Sequence, residues 1–399
     1  MKTAGIICEY NPFHLGHLGH IRKTKEVLSA GCGCDVAVVC VMSSNVVQRG
    51  DFAIFNKQSR AKMAILGGAD LVIELPTPYV LQSAEGFAKA GVYLLEKLGL
   101  CDYLSFGSET GDISILSSAA SAISSETANL LTRQWLDTGI SYALAQQKAA
   151  NEVMGIQGDV FNSPNNVLGI EYIKALNSYS SKMEPLTLKR TDGYHDSDVG
   201  YSASAVRKRL LSGEMPMSLM PDFACEICAE EIVPGRGPVS ITRAEQAILS
   251  RLRTIEDFSV IPGTSEGLEK RFRRCATTES SITSILTNVK TKRYTMARIR
   301  RILMCATLGI TKQDTANPPS YIRILAMNTK GMKLLNKARK KARLPIITKP
   351  ASVYGLHDMA IKLFELEASA TDFYTLAYPK EEERKGAQEW RTSPFIKRG

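Results

Sequence analysis

Three histidines, His14, His17 and His20, fall close together near the start of the chain, and Gly16 separates the first two. An imidazole at the start of a helix adds a donor to the free backbone N–H groups and positive dipole end already there. That combination holds phosphate and stabilises charge developing on it. In the stretch Asn11-Pro12-Phe13-His14-Leu15-Gly16-His17 both imidazoles are placed near one anion, and Gly16 admits backbone or ligand without a Cβ clash. A metal held by the histidines and a plain structural turn are the competing readings. Gly16 suits a rigid ligand platform poorly, and the turn holds no cysteine or carboxylate. A second candidate is Ser202-Ala203-Ser204-Ala205-Val206-Arg207, which opens a helix. Its hydroxyls and Arg207 suit phosphate oxygens, although a serine-rich helix start is also an ordinary N-cap. The Cys225/Cys228 pair and the Cys32/Cys34 pair lack further ligands, so no zinc site is expected.

To bind a ligand, the histidines must follow a strand of an open parallel sheet, at its carboxyl end. Residues 3–8, 35–42, 70–75 and 101–106 are short apolar runs, and 185–190 is a plausible fifth. Helical segments at 17–30, 57–68, 83–98 and 203–212 alternate with them. The pattern predicts an α/β fold with a parallel, Rossmann-like sheet covered on both faces. Residues 110–160, rich in Ser and Ala, read as a helical insert. Beyond Met220 the alternation stops, and 243–253, 266–277, 281–288, 293–308, 319–343 and 355–369 all read as helices. The expected organisation is a Rossmann-like domain over 1–220 followed by a mostly α-helical basic domain over 221–399.

The 399 residues, 44% apolar and 23% charged, suit two globular domains. Net charge is +10, and it is concentrated: residues 288–349 hold sixteen Lys or Arg against the single acid Asp314. Such a density implies a polyanion partner. Apolar residues recur near helical spacing in its two dense parts, Lys290–Arg301 and Lys330–Arg343, so basic helices that bind RNA or DNA are expected. From these parts Lys290, Lys292, Arg293, Arg298, Arg300, Arg301, Lys337, Arg339, Lys340, Lys341 and Arg343 are the candidate nucleic-acid contacts. No apolar run approaches the ~18 residues of a membrane span. The N-terminus is not a signal peptide, and the nine cysteines read as reduced thiols, so a cytoplasmic protein without membrane association is expected.

His-x-Gly-His between a first strand and a first helix is similar to the signature of nucleotidylyl transferases and class I aminoacyl-tRNA synthetases, and the Ser202–Arg207 stretch resembles the Ser-Ser-Thr-x-Ile-Arg box of the former. The resemblance narrows with Glu9-Tyr10-Asn11-Pro12-Phe13-His14, Gln48-Arg49-Gly50, Gly68-Ala69-Asp70-Leu71-Val72-Ile73-Glu74-Leu75-Pro76 and Phe106-Gly107-Ser108-Glu109. It continues through Pro164-Asn165-Asn166, Tyr194-His195-Asp196, Leu366-Glu367 with Ala370-Thr371-Asp372, and Arg391-Thr392-Ser393-Pro394. In order, over nearly the whole chain, these resemble the bacterial tRNA(Met) cytidine acetate ligase family.

The resemblance implies a nucleotidyltransferase-type first domain that uses ATP, with Mg²⁺ accompanying the triphosphate, to turn acetate into acetyl-adenylate. It implies transfer of the acetyl group to the wobble cytidine of elongator tRNA(Met), giving N4-acetylcytidine; no protein partner is implied. His14 and His17 would act on the α-phosphate. The implied nucleotide-binding stretch is Ile7, Cys8, Glu9, Tyr10, Asn11, Pro12, Phe13, His14, Leu15, Gly16, His17, Leu18, Gly19 and His20. Gly107, Asn165, Asn166 and Arg190 would complete the pocket, and Ser202, Ser204 and Arg207 would take the pyrophosphate end. Asp70 and Glu74 share a strand face at i, i+4, so Asp70 is a candidate base; a strand-end cap and, for Glu74, a buried ion pair with Arg60 are the plainer readings. Lys57 and Arg60 are candidates for triphosphate, tRNA or ordinary helix surface. The rival functions are a small-molecule adenylyltransferase and a non-enzymatic RNA-binding module.

Overall fold

Strand Lys2–Cys8 carries apolar residues on both faces and takes the middle of the sheet. The computed structural model describes residues 1–155, 159–190, 203–265 and 267–398. Five strands pair in parallel, in the order Leu71–Leu75, Val36–Ser43, Lys2–Cys8, Tyr103–Ser108, Glu184–Lys189. Every residue of Val36–Ser43 is buried, as expected for a strand covered on both faces. Alternate side chains feed two cores. Ile6, Val38, Cys40 and Val72 pack with Ile21 and Leu28 of helix Leu15–Cys32 and with Ala61 and Ile65 of helix Lys57–Leu66. Ile7, Val39, Val41 and Ile73 pack with Phe87 and Leu95 of helix Ala84–Leu98. The expected insert is three helices, Ile113–Ser124, Glu126–Asp137 and Tyr142–Met154. Helix Pro164–Ser178 then returns the chain to the sheet edge.

The later half departs from the helical expectation at one place that matters. Residues 319–343 are not one helix. Ile322–Asn328 is a strand that pairs antiparallel with Leu71–Leu75, and only Thr329–Lys341 is helical. Phe395–Lys397 adds a parallel strand beyond it, and Ile346–Ile347 also pairs with it. The run Ile322–Met327 is buried on both faces, and a short apolar run of that kind has the same pattern in a strand as in a buried helix. Asn328 then caps the following helix, accepting from the Gly331 N–H at 2.8 Å. Three strands from beyond residue 220 therefore belong to the same sheet as the first five. An additional helix, Asp222–Ile232, occupies the expected boundary region.

Candidate active site

His14 is extended (φ −135°, ψ 175°) and is the N-cap of helix Leu15–Cys32, at the carboxyl end of strand Lys2–Cys8. Its Nδ1 accepts from the Gly16 N–H at 3.1 Å, and Nδ1 of His17 accepts from the His14 N–H at 3.3 Å. This is a capping box built from two histidines. Because both Nδ1 atoms accept, the neutral rings carry their protons on Nε2. Burial, with Arg190 and Arg207 nearby, holds the His14 imidazole down at about 3. Burial also lowers His17, with His14, Arg190 and His20 adding to the effect. Both rings are neutral donors near pH 7.

The loop that presents them is over-determined. Tyr10 and Phe13 are buried, with ring centroids 4.9 Å apart. A side chain at Gly67 would collide with the Phe13 ring. Asn11 Oδ1 accepts from the Ile54 N–H at 2.7 Å, and the Leu15 N–H donates to the Leu219 carbonyl at 3.0 Å. Ile7 and Leu18 also face the cores, so these apolar members of the implied nucleotide stretch support the loop from behind. Gly19 is exposed, with open space where a Cβ would stand. His20 turns inward, 3.1 Å from the Ser105 hydroxyl, and burial lowers its imidazole to about 4.

Arg207, in helix Ala203–Leu211, donates to the Asn11 carbonyl at 2.8 Å and to Ser204 Oγ at 3.1 Å, so the serine–arginine stretch reaches the histidine loop. Ser202 and Tyr194-His195-Asp196 lie outside the described residues. A Cβ on Gly107 would stand 3.2 Å from Arg190 Cγ, so the glycine makes room for that arm. Asn165 and Asn166 meet Glu109: Asn165 Nδ2 donates to its carboxylate at 2.7 Å, as does the Asn166 N–H at 2.9 Å. Asn166 Oδ1 accepts in turn from the Glu109 and Thr110 N–H groups. These asparagines lock the loop after Gly107.

Asp70 is corrected. It sits before the start of strand Leu71–Leu75, level with Val38 and Ala4, whereas the histidines follow the far end of the sheet. Its carboxylate accepts from the Val38 N–H at 2.8 Å, Lys25 Nζ at 2.9 Å and Asn328 Nδ2 at 2.9 Å. It is a strand-end cap, about four strand residues or ~13 Å from the rim that carries the histidines. Glu74 is in a buried ion pair, but with Lys57 rather than Arg60. Lys57 Nζ also meets Glu367 at 2.9 Å and Glu389 at 2.8 Å, and Arg323 pairs with Glu389, with all these side chains 4% exposed or less. Burial raises the Glu74 carboxyl, opposed by Lys57. Arg60 is fully buried and donates to the Phe55, Glu9, Ser43 and Ser44 carbonyls. Neither Lys57 nor Arg60 is helix surface. Arg60 clamps the start of the histidine loop to the end of strand Val36–Ser43, a role that only spatial proximity reveals.

The two basic segments reach opposite rims. Arg298, Arg300 and Arg301 lie in helix Met296–Leu308. Arg300 Nη1 is 3.9 Å from Asp51, and Gly50 (φ +76°) abuts the Arg300 backbone, where a Cβ would stand 2.5 Å from its carbonyl carbon. Asp51 belongs to the hairpin Val46–Val47/Asp51–Phe52, whose Gln48 N–H donates to Glu9 at 2.6 Å. Lys290, Lys292 and Arg293 precede that helix. Lys337, Arg339, Lys340 and Lys341 belong instead to helix Thr329–Lys341. There Lys330 pairs with Asp35 at 2.8 Å, and the Arg343 N–H donates to the Lys97 carbonyl at 2.8 Å, at the amino ends of the strands. Among the described residues no three His, Cys, Asp or Glu side chains are grouped to hold a metal ion, and no helix is long and apolar enough to cross a membrane.

A family model described as HIGH nucleotidyl transferase matches residues 1–389. The chain is 41% identical over 388 residues to the tRNA(Met) cytidine acetate ligase of Caldicellulosiruptor saccharolyticus, across 95% of this chain and 94% of that protein. It is 38% identical to the tRNA(Met) cytidine acetate ligase of Acetivibrio thermocellus, across 99% and 100%. The crystal structure of Thermotoga maritima TmcAL bound with alpha-thio ATP matches it with a TM-score of 0.92 at 32% identity, covering all of both chains.

Proposed function

The chain belongs to the tRNA(Met) cytidine acetate ligase family, and from that membership we propose how its own residues perform the reaction. An acetate oxygen attacks the α-phosphorus of ATP, the bond to the β-phosphate oxygen breaks, and acetyl-adenylate and pyrophosphate result. The exocyclic amine of the wobble cytidine of elongator tRNA(Met) then attacks the acetyl carbonyl. AMP leaves, the amine loses a proton, and N4-acetylcytidine is the product.

Adenylation requires no protein nucleophile; positioning and charge stabilisation carry it. The observation that supports the assignment is the double histidine cap. With both Nδ1 atoms engaged by backbone N–H groups, the Nε2–H groups of His14 and His17 remain to meet the α-phosphate. Arg207 and Ser204 take the departing pyrophosphate beside the same loop. Mg²⁺ accompanies the triphosphate, held chiefly by phosphate oxygens. The cations of residues 288–349 hold the tRNA, and the protein works in the cytoplasm with its RNA substrate.

ATP–pyrophosphate exchange with and without acetate, followed by nucleoside mass analysis of tRNA(Met), tests this reading. Acetate-dependent exchange and N4-acetylcytidine are expected. Exchange that ignores acetate would make it a small-molecule adenylyltransferase, and tRNA binding without exchange would make it an RNA-binding module.

A further inference from the structure

We propose that Cys32 and Cys34 form a reversible dithiol–disulfide site that reacts with low-molecular-weight disulfides. Cys32 is the last residue of helix Leu15–Cys32, and Gly33 caps that helix in the left-handed conformation (φ 60°, ψ 23°). This conformation mirrors the helical one, so it sets the flanking Cα atoms about 5.4 Å apart, as in two residues of an α-helix. A disulfide spans roughly 4.4–6.8 Å between Cα atoms. An extended residue at 33 would hold them about 6.6 Å apart, near the limit of that range. Glycine takes the left-handed conformation without a Cβ penalty, so the Cys-Gly-Cys spacing and the backbone together bring the two residues within reach of closure.

The side chains lean the same way. Cys32 Sγ donates to the Cys34 carbonyl at 3.6 Å. Both thiols are half-buried, open to a small reagent. The Gly33 N–H donates to the Ser29 carbonyl at 2.9 Å, and the Lys2 N–H to the Asp35 carbonyl at 3.0 Å. The backbone is therefore pinned on both sides, and the sulfurs approach by side-chain rotation. The Cys32 thiol beside it holds the Cys34 thiol below its ordinary value, and Cys34 in turn holds Cys32 up. Cys34 is thus the attacking thiolate and Cys32 the resolving thiol. The pair Cys225 and Cys228 differs: it is buried in helix Asp222–Ile232, and burial raises both thiols.

The exchange balances with one co-reactant, a disulfide RSSR. The Cys34 thiolate attacks one of its sulfurs, the S–S bond breaks, and RS⁻ leaves. Cys32 then loses its proton and attacks the Cys34 sulfur, which closes the protein disulfide and releases the second RS⁻. The two thiol protons end on two RSH; the protein is oxidised by two electrons and RSSR is reduced by two. Asp35, next to Cys34, precedes strand Val36–Ser43 and pairs with Lys330 at 2.8 Å. The site therefore stands at the amino ends of the strands, on the rim opposite the histidines.

The test equilibrates the full-length protein with mixtures of reduced and oxidised glutathione, quenches with acid, alkylates, and reads each cysteine by peptide mass. As the oxidised share rises, the peptide holding Cys32 and Cys34 should lose two hydrogens before another cysteine is modified, and dithiothreitol should restore it. Serine is close to cysteine in size, so Cys32→Ser and Cys34→Ser retain the fold, which the thermal midpoint checks. Cys32→Ser should stop at a glutathione adduct on Cys34. Cys34→Ser should react at least about tenfold more slowly than Cys32→Ser, because less of its remaining thiol is ionised. A wild-type pair that stays reduced across the series, or that keeps a glutathione adduct without closing, would overturn the site. Equal rates in the two serine variants would overturn the assignment of Cys34 as the attacking thiolate.

Discussion

The His14 N–H donates to Nδ1 of His17 while the two rings lie 3.7 Å apart, so the His14 backbone fixes the His17 tautomer and the two rings hold each other in place. Capping therefore engages Nδ1 of each ring and leaves Nε2 for the proposed phosphate contact. His14→Asn keeps an acceptor at the cap and removes Nε2. Its stability should stay within about 1 kcal/mol of wild type, while acetate-dependent exchange falls by about 10²–10³. His17→Ala should lose activity to a similar degree. Either variant working within about threefold of wild type would remove these rings from the chemistry.

Arg207 grips the Asn11 carbonyl and Ser204 at once. Arg207→Lys preserves charge but not the planar fork. We expect the KM for ATP in the exchange reaction to rise about tenfold, with tRNA affinity changed by less than about twofold. The reverse ranking would place this side chain on the RNA surface.

Arg300 faces Asp51, whose hairpin is tied to Glu9 of the histidine loop. Arg300→Glu should therefore weaken tRNA binding and slow acetate-dependent exchange together, by about three- to tenfold each. Lys340→Glu/Lys341→Glu, at the far rim, should lower tRNA affinity less than Arg300→Glu does. Equal or greater loss at the far rim would reverse this ordering.

His20 bonds Ser105 from a site that lowers its imidazole from 6.5 to about 4. The unfolded chain binds that proton more readily, so stability is full above about pH 6.5 and falls as pH drops toward 4. One such group gives a slope of about 1.4 kcal/mol per pH unit. Urea unfolding across this window should show a shallower slope for His20→Gln. An identical slope would show that His20 is protonated alike in both states.

Lys57 is buried among Glu74, Glu367 and Glu389. Lys57→Met strands carboxylates without their cation and should cost about 3–5 kcal/mol of unfolding free energy. Adding Glu74→Gln should recover part of it. No recovery in urea titrations would show that the pair is not coupled.

The first strand, the histidine turn and the helices around them were legible because apolar runs end at prolines or glycines and alternate with helical segments. Asp70 shows the limit of spacing: i, i+4 predicts a shared strand face but not which rim of the sheet a residue occupies. Lys57 and Arg60 look like helix surface because a charged side chain is exposed unless it is paired, and one partner of Lys57, Glu367, lies 310 positions away. Ile322–Asn328 misled for a different reason: burial on both faces erases the alternation that marks a strand.

Strand Leu71–Leu75 is wholly buried, yet its outer neighbour in the sheet is Ile322–Asn328, synthesised about 250 residues later. At roughly 5–20 residues per second the ribosome needs on the order of 10–50 s to deliver it. Throughout that interval the nascent chain carries an apolar strand with one row of backbone donors and acceptors uncovered, a template for pairing with other chains. A ribosome that stalls in this stretch would release an aggregation-prone fragment rather than a working half, so the nascent chain depends on uninterrupted translation or on a chaperone at that edge.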